Sequence, residues 1–403
     1  MSAPDPPLAG RRILIVVENL PVPFDRRVWQ EATALSAAGA TVSVICPKGG
    51  RAEAGYELLD GIAIYRHPLP QAGGALGYFM EYTLALAWQF ALAWRVFLTR
   101  GFDALHACNP PDTIFLIGRL FKLFGRRFVF DHHDLSPELY EAKFGRRDLL
   151  WRLLSWLERA TYRTADIAIA TNDSYRAIAM TRGGMAAERV FVVRSGPNLA
   201  RLKPVPPVPS WKRGRRFLIG YVGVIGRQEG VEYLLRAMRH IVHTAGRQDV
   251  QVALAGDGPD LPRLRALARE WGLADYVTFA GRIPDAALLG LLSTAEVCVN
   301  PDEHNPMNDL STMNKVLEYM ALSKPIVQFD LKEGRRSAGE ASLYARANDA
   351  LDLAGKLLEL LANPEMRAHM GRIGRARIET ELAWSHQVPK LIEAYRYLWR
   401  IPP

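Results

Sequence analysis

Ile13-Leu14-Ile15-Val16-Val17 is followed by a polar, proline-bearing loop, then by Arg27 to Ala38 closed by Gly39, and then by Val42-Ser43-Val44-Ile45. A short, continuous apolar run suits a strand buried on both faces of a parallel sheet. Strand, helix and strand with short connections is the opening of a doubly wound sheet. The alternation continues through Ala104-Leu105-His106-Ala107, Phe128-Val129-Phe130, Ile167-Ala168-Ile169-Ala170 and Val190-Phe191-Val192-Val193. The texture then changes. Asn198 to Arg216 carries Pro204, Pro206, Pro207 and Pro209, a proline density that stiffens a connector and marks a domain boundary. Beyond it the alternation restarts at Phe217-Leu218-Ile219-Gly220-Tyr221, with strands expected at Val250 to Ala255, Val277 to Phe279, Val297 to Val299 and Pro325 to Val327. The pattern predicts an α/β chain of two doubly wound domains, 1–200 and 217–380, joined by a proline-rich linker at 201–216. A last helix over 381–403 has Val388, Leu391, Ile392, Tyr395, Leu398 and Trp399 on one face.

At 403 residues the chain exceeds what one hydrophobic core usually serves, in keeping with two domains. It is 49% hydrophobic and 23% charged, a globular balance that excludes disordered and collagen-like classes. Cys46, Cys108 and Cys298 make no metal-ligand or redox spacing, and their odd count suits a reducing cytoplasm better than a disulfide scaffold. The formal charge of +9 admits anionic partners, among them nucleic acid, acidic lipid and nucleotide phosphates, without choosing between them. Met1 to Leu8 has prolines and no apolar core, so it does not read as a secretory signal. Tyr82 to Trp94 is an uncharged run of 13 residues, short of the roughly 20 that a spanning helix needs. It reads as a buried domain helix.

The loop Leu20 to Val28 lies beyond the C-terminal end of the first strand, where ligands bind in such sheets. Glu18 and Asn19 stand where a dinucleotide fingerprint needs glycines, which argues against NAD in this half. Asp25, Arg26 and Arg27 are candidates to orient an acceptor; capping the helix start is the plainer role for Asp25. Asp131-His132-His133-Asp134 packs polar residues at a strand end, which is costly unless a site uses them. Adjacent strand histidines point to opposite faces, so one of them faces the ligand. They converge poorly on a metal, and hydrogen bonding to a polyol or phosphate is the better reading.

In the second half, Gly220-Tyr221-Val222-Gly223-Val224-Ile225-Gly226 follows a strand and Arg227 comes at once, placed to pair with phosphate. At Ala255-Gly256-Asp257-Gly258-Pro259 the glycines let a ligand approach the backbone, or serve an ordinary turn. Asn308 to Ala321 is the most informative stretch. Val316, Leu317, Met320 and Ala321 suit one helix face, so Ser311 and Thr312 fall at or before the helix start. Hydroxyls and free amides there make an anion site, with Lys315 beside it. Glu318 follows at i+3, and an N-cap with a Lys315–Glu318 pair is the local alternative.

Taken together, Asp131-x-His133-Asp134, the Gly223 turn, Ala255-Gly256-Asp257-Gly258 and Asn314-Lys315…Glu318-Tyr319-Met320-Ala321 resemble glycosyltransferase family 4 over nearly the whole chain. The resemblance implies a GT-B fold: two Rossmann-like domains facing across a cleft, acceptor on the first, nucleotide sugar on the second, and the last helix crossing back. It implies transfer from a nucleotide-sugar donor with retention, without metal or cofactor, and no nucleic-acid partner. By the same resemblance, His133 lies beside the transferred sugar and Glu318 binds the ribose. Arg227 contacts the diphosphate, and Lys315 with Ser311 and Thr312 forms the phosphate-binding helix start. Gly223, Gly256 and Gly258 complete the donor side; Asp25 and Arg26 fall on the acceptor side. Two departures stand out. Glu229 replaces the lysine usual before Gly230, and Leu310 occupies the place of the first motif glutamate, with Asp309 adjacent as its substitute.

Lys143 to Arg163 sets Leu149, Leu150, Leu153, Trp156 and Leu157 on one helix face, with Arg152 and Arg159 elsewhere. Such a basic, tryptophan-bearing helix suits an acidic membrane surface, and a core-facing helix with a solvated side reads equally well. The expectation is a lipid-linked saccharide acceptor in polysaccharide assembly, with peripheral contact at the inner face of the cytoplasmic membrane. The rival classes are a GT-B sugar-nucleotide epimerase, an NAD-dependent oxidoreductase and a non-catalytic assembly subunit.

Overall fold

The computed structural model describes residues 6–50, 52–69 and 74–400; the first five residues of the segment read for a signal lie outside these. Two compact units emerge, one of Met1–Ser195 with Gln387–Pro403, the other Gly196–His386.

The first unit runs β1 (Arg12–Val16), α1 (Arg26–Ala37), β2 (Thr41–Pro47), β3 (Tyr56–Leu59), β4 (Ile62–His67), α2 (Gly74–Thr99) and β5 (Ala104–Cys108). It continues with α3 (Phe115–Leu123), β6 (Arg127–His132), α4 (Ser136–Phe144), α5 (Leu149–Thr164), β7 (Ile167–Ala170), α6 (Asp173–Thr181) and β8 (Val190–Val192). The sheet order is β3-β4-β2-β1-β5-β6-β7-β8, and only β3 runs antiparallel to its neighbour. Burial on both faces explains why β7 reads as an unbroken apolar run and β5 as one interrupted only by His106. β3 and β4 were not among the expected strands. They form a hairpin whose two-residue turn is Asp60-Gly61, with φ of 50° and 79°.

The run Tyr82 to Trp94 lies inside α2. Ala85, Gln89, Ala93 and Val96 are buried on one narrow face, while Trp88, Phe90 and Leu98 are exposed, so the helix is not buried all round. No described helix is long and apolar enough to cross a membrane.

The second unit runs β9 (Phe217–Val222), α7 (Val231–Arg239), β10 (Val250–Ala255), α8 (Leu261–Glu270), β11 (Val277–Gly281), α9 (Asp285–Thr294) and β12 (Val297–Asn300). Then come α10 (Asn314–Ala321), β13 (Ile326–Phe329), α11 (Lys332–Ala338), β14 (Ser342–Ala345), α12 (Ala350–Ala362) and α13 (Pro364–Arg377), followed by α14 (Trp384–Trp399), most of which belongs to the first unit. The parallel order is β11-β10-β9-β12-β13-β14. Alternate residues of β9 feed two cores. Phe217, Ile219 and Tyr221 pack with Leu234, Leu235 and Leu357 of α7 and α12. Leu218 packs with Leu291 and Leu292 of α9 and Met320 of α10.

The proline-rich stretch 201–216 falls within this second unit and is tied down along its length. Leu202 is buried, Val205 N–H donates to the Ser293 hydroxyl at 3.1 Å, and Val208 N–H donates to Thr294 at 2.7 Å. From Gln387 onward the chain belongs to the first unit, where Tyr395 of α14 is fully buried.

Candidate functional site

In the first unit a charged cluster gathers at the ends of β5 and β6. Arg27 turns inward from the first turn of α1. Its Nε and Nη2 donate to the two carboxylate oxygens of Asp131 at 3.1 and 2.7 Å, and its Nη1 donates to the Val193 carbonyl at 2.9 Å and Ser195 Oγ at 3.2 Å. The same guanidinium lies 3.0 Å from Glu31, one helical turn on. His106 sits beneath them. Its Nδ1 is 2.7 Å from the Tyr395 hydroxyl, and its Nε2 is 3.4 Å from Asp131 and 3.5 Å from Glu31.

Burial alone would push both carboxyls up. Arg27 and His133 overcome it at Asp131 and hold that carboxyl well below its ordinary range. At Glu31 burial prevails over Arg27, and the carboxyl stays well above its ordinary range. Asp131 therefore gives up its proton well before Glu31 does. Burial also lowers the His106 imidazole, against the pull of Asp131. Glu31, His106, Cys108 and Asp131 have ligand atoms within 4.8 Å of one another, close enough to ligate one cation; the Arg27 guanidinium already supplies a positive charge to both carboxyl groups.

His133 stands just past β6, with Nε2 2.5 Å from Asp131, and its side chain is 15% exposed. The same Nε2 lies 3.0 Å from Arg27 Nε, so His133 is held against both members of the Arg27–Asp131 pair. The loop is braced by Asn109, whose Oδ1 accepts from the backbone N–H of His133 at 2.7 Å and of Asp134 at 3.2 Å. His132 points the other way into a closed network. Its Nδ1 is 2.6 Å from the Tyr162 hydroxyl and its Nε2 3.4 Å from Glu158, which Arg182 also pairs.

The acceptor-side triplet separates into three roles. Asp25 is buried and caps α1, accepting from Val28 N–H at 3.1 Å. Arg26 is exposed. Arg27, expected to orient an acceptor, is instead committed to Asp131, Val193 and Ser195 inside the domain.

In the second unit the site forms where β9, β10 and β12 end and α10 begins. The turns after β9 and β10 pack backbone on backbone. Ile225 N–H donates to the Asp257 carbonyl at 3.0 Å, and Asp260 N–H returns to Ile225 at 3.0 Å. A Cβ on Gly256 would come 1.8 Å from the Gly223 carbonyl oxygen, and one on Gly258 would come 2.4 Å from that of Ile225. These glycines serve the contact between two turns, a nearer cause than ligand approach.

Lys315, in the first turn of α10, places Nζ 2.5 Å from buried Asp302 and 5.3 Å from the Tyr221 ring centroid. Its Cε lies 3.1 Å from where a Gly223 Cβ would stand. Glu229 closes the group: burial raises its carboxyl, and Lys315 pulls the other way. Asp302 is likewise raised by burial against the pull of Lys315. The Lys315–Glu318 pair expected locally does not form. Glu318 pairs with Arg201 at 3.0 Å.

Neither Ser311 nor Thr312 caps α10. Met313 occupies the N-cap with no side-chain bond, and the Ser311 hydroxyl donates to the Met307 carbonyl at 2.8 Å. Asp309 accepts from Lys332 N–H at 2.8 Å, holding the start of α11. Arg227 is exposed and lines a recess of about 290 Å³ with Gly230, Glu232, Tyr233, Arg236, Arg263 and Glu303. No carboxylate lies within ion-pair distance of Arg227 among the described residues. Sequence reasoning missed Asp302, Arg201, His106 and Asn109. Asp302 and Asn109 were within reach, since each is a polar residue at a strand end beside proline.

Two parallel-sheet units of this kind, with glycine turns and a helix start at the strand ends, make a chain of GT-B fold. Residues 25–201 match the family model described as Glycosyltransferase Family 4, and residues 216–363 match that described as Glycosyl transferases group 1. Between them the two models span most of the chain, which is a glycosyltransferase of the family 4 type. It is 27% identical over 299 residues to alpha-maltose-1-phosphate synthase of Mycolicibacterium smegmatis, covering 68% of this chain and 74% of that one. It is 29% identical over 202 residues to the GDP-mannose-dependent monoacylated alpha-(1-6)-phosphatidylinositol monomannoside mannosyltransferase of Corynebacterium glutamicum. That match covers 47% of this chain and 51% of the other, about half of each. Among solved structures, sucrose-phosphate synthase of Thermosynechococcus elongatus superposes with a TM-score of 0.80 at 22% identity, over 97% of this chain and 100% of that one.

Proposed function

We propose that this enzyme is a retaining glycosyltransferase that moves a sugar from a nucleotide-sugar donor to a hydroxyl of a lipid-linked saccharide in cell-surface polysaccharide biosynthesis. In this reading it works in the cytoplasm, in peripheral contact with the inner face of the membrane, and needs neither metal nor cofactor. The observation that carries the donor side is the start of α10, where the N-cap Met313 makes no side-chain bond and Lys315 stands beside the Gly223 turn. Free amides and a cation at a helix start stabilise an anion, here the departing diphosphate. Arg227, with no carboxylate at ion-pair distance among the described residues, adds a second cation for it. The acceptor hydroxyl attacks the anomeric carbon on the leaving-group face as the bond to the diphosphate breaks, and its proton passes to the departing phosphate oxygen. Glu318 takes the ribose hydroxyls, exchanging its bond with Arg201 for them. His133, its ring fixed by Asp131, lies beside the sugar; Asp309 stands in for the missing motif glutamate. The lipid-linked acceptor has support from the Corynebacterium relative, whose name specifies a GDP-mannose donor and an acylated phosphatidylinositol acceptor.

Calorimetric titration of donors tests this reading. A carboxylate bonded to two hydroxyls contributes roughly 1.5–3 kcal/mol per bond, so Glu318→Gln weakens donor binding at least tenfold with the fold intact. Lys315→Met lowers turnover more than donor affinity, because its charge counts most as the leaving group departs. Unchanged donor affinity in Glu318→Gln removes the ribose assignment.

A further inference from the structure

The first unit carries a second polar constellation that none of the residues above uses. α3 and α5 enclose a cavity of about 490 Å³ lined by Arg119 and Lys122 from α3 and Trp156, Arg159 and Arg163 from α5. Lys122 is neutralised by Asp166 at 2.9 Å. Arg159 donates from Nε to the Arg182 carbonyl at 3.1 Å, a bond that leaves its charge uncompensated. Among the described residues no carboxylate lies within ion-pair distance of Arg119, Arg159 or Arg163. Guanidiniums gathered on one cavity repel until an anion joins them, and their planar forks match phosphate oxygens.

Beyond the cavity, the N-terminal half of α5 exposes apolar side chains. The buried side of α5 is made by Glu158, Thr161, Tyr162 and Thr164, tied into the His132 network, which leaves Leu154 and Leu157 half-buried and turns Leu149, Leu150 and Leu153 outward. Leu149 is 80% exposed and Trp156 58%, with Leu150 and Leu153 also exposed. On α3, Leu116 and Leu123 are exposed as well. A basic cavity lined in part by exposed Trp156, on a helix whose preceding turns expose leucines, fits the boundary between lipid headgroups and acyl chains. A solvated core helix, the alternative left open by the sequence, would have turned these side chains inward.

We propose that the α3–α5 cavity binds the phosphate headgroup of an anionic membrane lipid, with Leu149, Leu153 and Trp156 entering the acyl boundary around it. This deepens the membrane-facing part of the proposed function by naming the site. It is measured without donor or acceptor, so it stands or fails separately from the transfer reaction.

The test is co-sedimentation of the full chain with vesicles of phosphatidylcholine alone or mixed with phosphatidylglycerol. Binding is expected only to the mixed vesicles, with release at high salt. Each cation near an anionic surface contributes about a fivefold factor, so Arg119→Gln with Arg163→Gln weakens binding about 25-fold. Arg152→Gln removes the same charge from the exposed face of α5 outside the cavity, and is expected to cost far less than Arg163→Gln. Brominated acyl chains should quench fluorescence in the wild type and less in Trp156→Phe. Three results each overturn the proposal: equal losses for Arg152→Gln and Arg163→Gln, which mean diffuse attraction; equal binding to neutral vesicles; or inorganic phosphate alone displacing the protein at low millimolar concentration, which means a soluble-anion site.

Discussion

Glu229→Gln is expected to tighten binding of a nucleoside diphosphate at pH 8, and to do so less at pH 5.5, nearer the carboxyl range. Glu229 stands where the family carries lysine, and one of its oxygens, buried and without a hydrogen-bond partner, lies 2.5 Å from where a Gly226 Cβ would be. Lys315 is shared between this carboxyl and Asp302. Burial raises both acids, so in the folded protein each keeps its proton at a pH where an exposed carboxyl has lost it. While both are protonated the group has one positive charge; once both ionise it has a net negative one. Diphosphate affinity therefore falls as pH rises through the raised values. One unit charge at about 6 Å, with an effective dielectric of about 20–40, contributes about 1.4–2.8 kcal/mol. Solvent screening reduces this, leaving about a tenfold gain in affinity at pH 8 for the glutamine variant. Calorimetric titration with UDP and with GDP at both pH values measures it. No gain at pH 8, or the same gain at both, would refute the reasoning that Glu229 faces the phosphates.

The first unit offers two further tests. Burial, with Glu81 adding to it, pushes the Glu18 carboxyl up to about 8 from 4.5, so between those values the folded state holds a proton that the unfolded chain has lost. Stability accordingly falls as pH rises across that window, and Glu18→Gln should raise the melting temperature more at pH 8 than at pH 5; equal shifts at both would show that Glu18 is not the titrating group. Arg27→Met strands the buried Asp131 carboxylate, a loss of about 3–5 kcal/mol, which lowers the melting temperature by on the order of 10 °C. A fall of less than about 3 °C in scanning calorimetry would mean that Asp131 finds another partner.

Continuous apolar strands were legible because burial on both faces leaves no polar positions to blur them; Ile13 to Val17 and Ile167 to Ala170 are of this kind. β3 was not, since an edge strand alternates with solvent, although Asp60-Gly61 marks its turn. Charged residues were legible as candidates but not as pairs. The plain local partner of Lys315 was Glu318, three residues on, yet the lysine folds onto Asp302 and Glu318 reaches Arg201, 117 positions away in sequence. The triplet Asp25-Arg26-Arg27 likewise gives no sign of which arginine turns inward, because that depends on Asp131, 104 positions away. In α5 the apolar face was plain from spacing. That it faces outward depends on Glu158 and Tyr162 being claimed by His132 and Arg182, which spacing does not reveal.

The central claim is metal-free, retaining transfer from a nucleotide sugar. Its most direct test is to incubate the full chain, in EDTA, with individual nucleotide sugars and a lipid-linked saccharide acceptor, following nucleoside diphosphate release and the anomeric configuration of the product by NMR. The account expects release from at least one donor, accelerated by the acceptor, with the donor's configuration kept in the product. Release that needs a divalent ion, an inverted product, or no release from any donor would contradict it.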